Sequence, residues 1–370
     1  MLTSTYGKVS WLEALKAFAV LLPLPLVTIG CLLISPFSPY DKRKTWKRVM
    51  TDASIRYTTS SLSINQIQYA MGTTLGVCQK WARSNSIKLD VDEIGDEARL
   101  IWFGERKTEK VILYIHGGTY IFPIQGYALS FWTYIRSELR RERNQDIGFV
   151  ALNYSLFPTA TFPTPLVQAT AAIKHLISQN IDPSNIILAG DSAGAGLILQ
   201  IISHILHPHP SVPPLILPSN TKFRGAYLLS PWVSLTGDTG SHAENSASDI
   251  VPKETWAYLG SHVLSSITDA DRPYIEAVKA PVEWFDGIGG VVGRVLISVG
   301  EKECLRDDAV DLANGLRKVP GVGQNVVVVV QQGGVHNDPC LDFLAGEKKL
   351  GSLTPVVVGW LGDVFSDPVA

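Results

Sequence analysis

Ser192 stands at the centre of Gly190-Asp191-Ser192-Ala193-Gly194, directly after the apolar run Ile186-Ile187-Leu188-Ala189. A serine hydroxyl is a poor nucleophile until a base takes its proton and the backbone holds it at a substrate. The pentad reads G-x-S-x-G, a turn from strand to helix so tight that the residues two before and two after the serine must lack bulk. Glycine at both places removes the clash. The hydroxyl then stands at the carboxyl end of a strand, with backbone N–H groups and the positive end of a helix dipole behind it. A second glycine pair, Gly117-Gly118, sits between Tyr114-Ile115-His116 and Thr119-Tyr120. Glycines at the end of a strand let backbone approach a reacting carbonyl and aim N–H groups at its developing charge.

The base must be a histidine, because the proton moves near neutral pH. Eight are available. His175 and His204 fall in helical patterns, His207 and His209 in a proline-rich stretch, and His242 and His262 in a region read as a cap. His116 precedes the glycine pair, where it braces the loop by hydrogen bonding. His336 follows the apolar run Val326–Val330 and a Gly333-Gly334 turn, the place for a base on a loop beyond the last strand. A carboxylate should lie between nucleophile and base in the chain, giving the order Ser…Asp/Glu…His. Glu303, Asp307 and Asp308 follow the run Val295–Val299. For Asp307 and Asp308 the alternative role is to favour the dipole at a helix start.

Further segments fall into register with these. Asn153-Tyr154-Ser155-Leu156-Phe157-Pro158, Ser230-Pro231-Trp232-Val233-Ser234-Leu235 and Gly300-Glu301-Lys302-Glu303-Cys304-Leu305-Arg306-Asp307-Asp308 occur in that order around the pentad and before Val335-His336. The set resembles the hormone-sensitive-lipase-like branch of the α/β-hydrolases from about Ala98 onward. With the hydrophobic leader it resembles fungal sterol-acetate and secondary-metabolite esterases. The resemblance implies a Ser192–His336–Glu303 triad, with Asp307 as the alternative acid. It also implies an oxyanion hole of Gly117, Gly118, Thr119 and Ala193. The N–H groups of Gly118, Thr119 and Ala193 are the donors, and Gly117 shapes the turn. Thr119, Ser155 and Glu303 depart from the usual residues of that branch. The Thr119 side chain is expected to narrow the acyl side of the site.

The elements that must position these residues are short apolar strands alternating with helical patterns. Ala98–Phe103, Val111–Ile115, Phe149–Tyr154, Ile186–Ala189, Gly225–Leu229, Val295–Val299 and Val326–Val330 read as strands. Ser60–Ser84 and Pro165–Ser178 read as helices, and another begins near Ala195. Such alternation predicts an α/β fold, a mostly parallel central sheet with helices on both faces. Five prolines between His207 and Lys222 predict a surface loop. A helical cap is expected from residues 51–95 and 236–291, within a catalytic domain of residues 51–370. Trp256, Tyr258, Tyr274, Trp284 and Phe285 give it apolar surface for a pocket or for ordinary packing.

Residues 1–50 read as a membrane-anchor segment. No charged residue occurs from Ala17 to Tyr40, and Ala17–Ile34 is almost wholly apolar. About 20 such residues can cross a bilayer, and proline is tolerated there. Lys42, Arg43, Lys44, Lys47 and Arg48 follow. This predicts a single-pass membrane protein, of the endoplasmic reticulum by resemblance; the basic flank would favour a cytosolic body.

Composition excludes other classes. The 370 residues are 46% hydrophobic and 18% charged with a net charge of −2, so the chain buries a large core and lacks the basic surface a nucleic-acid binder needs. Cys31, Cys78, Cys304 and Cys340 are scattered, against a structural zinc site or a disulfide scaffold. The triad needs no cofactor or metal. The reading is a serine esterase, and the resemblance implies short-acyl, chiefly acetyl, esters of a bulky lipophilic alcohol as its substrates. An amidase, lactonase or dehydratase on the same scaffold, or a non-catalytic ligand binder, is the alternative. Oligomeric state is not legible.

Overall fold

The computed structural model describes residues 5–42 and 44–367; Arg43 of the basic flank lies outside the described residues. Eight strands form one sheet: β1 Leu89–Glu93, β2 Arg99–Phe103, β3 Val111–Ile115, β4 Gly148–Asn153, β5 Ile186–Asp191, β6 Gly225–Leu229, β7 Val295–Gly300 and β8 Val326–Gln331. Their order is β1-β2-β4-β3-β5-β6-β7-β8. β1 and β2 pair antiparallel, β2 pairs antiparallel with β4, and all other pairs are parallel. β3, β5, β6 and β7 are buried throughout, which is why they read as unbroken apolar runs. Side chains alternate between two cores. Leu113 and Ile115 enter one with Leu188, Leu228 and Ile297; Ile112 and Tyr114 enter the other with Ile187, Tyr227 and Leu296.

The strand absent from the sequence reading is β1. Its sequence, Leu-Asp-Val-Asp-Glu, lies at the sheet edge with Asp90, Val91 and Glu93 exposed. Charge on an edge blocks pairing with another chain and hides the strand from any apolar pattern. Arg106 binds Asp90 at 2.6 Å and Asp92 at 2.7 Å.

Ser60–Ser84 is not one helix. Helices span Trp46–Ser61, Ile64–Met71 and Thr74–Ser84. Ser63 and Gln66 close a capping box that restarts the chain after Leu62, and Gly72 at φ +77° ends the second helix. The expected division at residues 50 and 51 falls inside the first helix, whose Arg48 and Val49 are buried against the catalytic body. The second half of the cap, Thr236–Val291, consists of helices Gly240–Asn245, Lys253–Leu264 and Arg272–Ile275 with short 3-10 turns. The segment 207–222 has no helix or strand but is not wholly at the surface. Val212 and Leu215 are buried, and His209 binds Asp271 at 3.0 Å.

At the N-terminus, helices Trp11–Leu21 and Leu24–Ile34 meet at Leu22-Pro23. Together Trp11–Phe37 is long and apolar enough to cross a membrane. By length and composition it could serve as a membrane anchor or as a signal sequence.

Candidate active site

Ser192 ends the turn between β5 and the helix Ala193–Leu206, which starts two residues earlier than the sequence pattern suggested. Its backbone is left-handed, φ 52°, and 2% of the residue is exposed. The two pentad glycines permit this. A Cβ on Gly194 would lie 2.0 Å from the Ile115 carbonyl oxygen, and one on Gly190 2.7 Å from the Gly194 carbonyl carbon. The Ser192 N–H donates to the Leu229 carbonyl at 2.8 Å, and its carbonyl accepts from Trp232 N–H at 3.1 Å, so β6 and the loop after it hold the turn.

His336 lies on the loop between β8 and the helix Asp338–Ala345. Its Nδ1 is 2.7 Å from Glu303 Oε1. Glu303 is wholly buried, and its Oε2 accepts from Ser230 Oγ at 2.8 Å and Gly300 N–H at 2.9 Å. Burial opposes the imidazolium, but the Glu303 carboxylate outweighs it by charge and hydrogen bond, with Asp249 and Asp191 adding, and His336 is raised above the ordinary histidine pKa. The Trp256 ring stands edge-on to the imidazole at 4.9 Å.

Asp307, the alternative acid, is elsewhere. Its carboxylate takes the Arg306 guanidinium at 2.9 Å and the Ser241 N–H at 2.9 Å. At the start of the helix Arg306–Lys318 it is spent on that helix's surface and on the cap. Asp308 is buried 3.4 Å from His242.

In the glycine loop, the Gly117 N–H donates to Asp191 Oδ1 at 2.9 Å and so is not free for a substrate. A Cβ on Gly117 would lie 2.5 Å from Asp191 Oδ2, and one on Gly118 (φ +99°) 2.4 Å from the Phe122 carbonyl oxygen. Among the described residues, none accepts a hydrogen bond from the N–H of Gly118, Thr119 or Ala193. Thr119 is left-handed at φ 57°, and its hydroxyl folds back on the Gly118 carbonyl at 2.7 Å. His116 binds Thr74 Oγ1 at 3.2 Å and stacks on Tyr154 at 4.6 Å. Burial holds it down to about 4, so it is neutral and braces the loop.

Four residues of the site were given no role in it by the sequence. Asp191 ties three segments together, accepting from Tyr114 Oη at 2.6 Å, Gly117 N–H at 2.9 Å and Asn337 Nδ2 at 2.8 Å. Asp249, from the cap, accepts from the N–H groups of His336 at 2.9 Å and Cys304 at 2.8 Å. Burial, with the charge of Glu303 beside it, pushes Asp249 up to about 6. Ser230 bridges Glu303 to the Asn337 N–H. Arg48, 6% exposed, binds Asp338 at 2.7 Å, Asp342 at 2.6 Å and Asp52 at 3.4 Å, clamping the helix that follows His336.

Ser192, His336 and Asn337 open on a cavity of about 430 Å³. Gly118, Thr119 and Phe122 line it from the glycine loop, Trp256 and Leu259 from one half of the cap, and Ile55, Leu62, Ile67 and Met71 from the other. The walls are mainly apolar, and the volume lies in the range of sites for small organic ligands.

A family model described as alpha/beta hydrolase fold matches residues 112–338. An acetyl-hydrolase of Streptomyces hygroscopicus is 28% identical over 206 residues, which span 55% of this chain and 60% of the relative. A Schizosaccharomyces pombe protein provisionally named a steryl acetyl hydrolase is 22% identical over 345 residues, 85% of this chain and 87% of its own. The crystal structure of an esterase from the bacterial hormone-sensitive lipase family aligns with a TM-score of 0.62 at 21% identity, covering 98% of this chain and all of that one. A hormone-sensitive lipase from a metagenome library aligns at 0.65 and 21% identity over 86% and 98%. The chain belongs to the alpha/beta hydrolase fold family. With its motif set it stands in the hormone-sensitive-lipase-like branch, as a carboxylic ester hydrolase.

Proposed function

We propose that this ester hydrolase removes short acyl groups, acetyl first, from a bulky lipophilic alcohol such as a sterol or a secondary metabolite, through a Ser192–His336–Glu303 triad. The observation that carries the reading is the buried His336–Glu303 pair at 2.7 Å beside an apolar cavity that Ser192 also lines. Ser192 Oγ attacks the ester carbonyl carbon while His336 takes its proton. Glu303 holds the imidazole with its other nitrogen toward the serine and stabilises the imidazolium. The carbonyl oxygen becomes an oxyanion facing the N–H groups of Gly118, Thr119 and Ala193. Collapse breaks the bond to the alcohol, which leaves with the proton from His336. Water then attacks the acyl-enzyme by the same route and releases the acid. The names of the acetyl-hydrolase and steryl acetyl hydrolase relatives support the acyl group and the alcohol class.

The apolar segment Trp11–Phe37 is read as the attachment to a membrane, that of the endoplasmic reticulum, where such an alcohol would be concentrated. The test of the chemistry is a fluorophosphonate probe and an acetate ester, applied to the protein and to Ser192→Ala. The variant is expected to stay folded, to lose labelling, and to fall by about 10⁴ to 10⁶ in kcat. Turnover like that of the parent protein would refute the assignment.

A further inference from the structure

The segment Trp11–Phe37 does not project from the body. Along its length a docked row of small or half-buried residues, Ala17, Val20, Leu24, Thr28, Leu32 and Ser35, alternates with an open row, Trp11, Leu15, Phe18, Leu26, Leu33 and Phe37. Every residue of the open row is more than half exposed, Phe37 at 87%. The bed is made by two cap helices. Tyr57 Oη donates to the Val20 carbonyl at 2.7 Å, and Gln66 Nε2 donates to the Glu13 carbonyl at 2.9 Å. Leu24–Ile34 packs along Trp46–Ser61.

That bed decides the topology. The helix Trp46–Ser61 carries Lys47, Arg48, Asp52 and Arg56, and Arg48 and Asp52 belong to an ion network with Lys44, Asp338 and Asp342. If Leu24–Ile34 crossed a hydrocarbon core in this packing, the charged helix would be carried in beside it, where ionised side chains are costly. A crossing pose would first have to strip the segment from its bed.

We propose that Trp11–Phe37 holds the enzyme to one leaflet of a lipid bilayer, lying in the membrane plane with its open row among the acyl chains and its docked row on the cap. The partner is a lipid surface, and the inference rests on the membrane reading given above. Three features favour lipid as the cover of the open row. The row runs the length of a 27-residue segment that is apolar enough to cross a membrane. Exposed Trp11 stands at one end, and exposed Tyr40 and Trp46 at the other, the residues that settle at a membrane–water boundary. Exposed Lys8 and Lys42 flank it, and exposed Lys16 interrupts it. The arrangement differs from an isolated amphipathic helix, because here the protein, and not a charged face, covers the second side.

The placement has a consequence for the catalytic cavity. Ile55 and Thr58 of the bed helix Trp46–Ser61, and Ile67 and Met71 of the second, line that cavity. Two helix diameters, about 20 Å, the bed helix and the docked segment, then separate the cavity from the lipid. The same two helices thus serve the segment as its bed and the catalytic cavity as a wall.

The test uses the full chain in microsomes with an epitope tag at each end, digested with protease with and without detergent. In-plane attachment predicts that both tags share one fate in intact vesicles, both cut or both protected. One tag cut and one protected means a crossing and overturns the proposal. A second arm floats the purified chain with phosphatidylcholine vesicles. The double substitution Leu26→Glu, Leu33→Glu in the open row should cut flotation at least tenfold, while hydrolysis of a water-soluble acetate continues. Flotation equal to that of the parent chain, or a parent chain that stays soluble as a dimer with the row covered by a second copy, overturns it. Acetate hydrolysis in the same samples reports on the esterase reading separately from the topology.

Discussion

Replacing Arg48 by methionine leaves a hydrophobic stem of similar length in the same place and removes the charge. Three carboxylates then lose their shared partner: Asp338, Asp342 and Asp52. Asp52 keeps Lys44 at 2.8 Å, Asp342 keeps the Gly351 N–H at 2.7 Å, and Asp338 keeps Gln331 Nε2 at 2.5 Å. Removing one partner of a buried ion pair costs about 3–5 kcal/mol, because the remaining charge has no compensation. With an unfolding entropy of about 2.1 cal/mol/K per residue, a chain of this size has about 0.8 kcal/mol/K, so Tm should fall by about 4–6 °C. The sign of the pH dependence separates lost charge from lost packing. In wild type, burial already raises the Asp342 pKa while Arg48 lowers it. In the variant, Asp342 without Arg48 should lie further above its unfolded value, so the folded state binds more protons and its stability falls as pH rises. The deficit relative to wild type should therefore be smaller at pH 5 than at pH 8. The added substitutions Asp338→Asn and Asp342→Asn should recover part of it. Calorimetric melts at the two pH values, with kcat for a soluble acetate, are the assay. Because Asp338 is two residues beyond His336, kcat should fall as well. A Tm within 1 °C of wild type, or a deficit that does not change with pH, would refute the clamp.

Glu303→Gln should lower kcat by about 10⁴, as loss of the carboxylate does in a related triad, while Asp307→Asn should change it little. Activity needs neutral His336, and Glu303 raises that pKa, so the acid limb of kcat/KM in Glu303→Gln should move to lower pH; a dead Asp307 variant would reverse the assignment. Thr119→Gly removes a side chain from the cavity at a left-handed position that glycine adopts freely, so octanoyl esters should gain on acetyl esters of the same alcohol. An unchanged ratio would take Thr119 out of the acyl side. A chain shortened to begin at residue 51 loses Arg48 and should melt below one that begins at residue 44, a comparison that thermal melts of the two proteins decide.

Gly190 and Gly194 could be read as a nucleophile turn because a backbone passing within 3 Å of another excludes every side chain, and that demand is local. The parallel strands β3 to β7 were legible for a related reason: burial on both faces leaves mainly apolar residues. His336, read as the base from its place after the last apolar run, lies against Glu303 in the structure. Which of Glu303 and Asp307, four residues apart, lies against His336 was beyond local pattern. It depends on how the loop after β7 turns, with Ser230 and the Gly300 N–H receiving one carboxylate and Arg306 holding the other. The charged edge strand β1 was lost because its pattern answers to solvent and not to the core. Arg48 meets Asp338 and Asp342 across 290 and 294 residues, and Asp249 reaches His336 across 87. No spacing rule carries such pairs, since burial selects them only once the chain has closed. For Trp11–Phe37 the amino acids specify an apolar segment. Whether that segment stands free or lies on the cap is set by Tyr57, Gln66 and the packing of a charged helix against it.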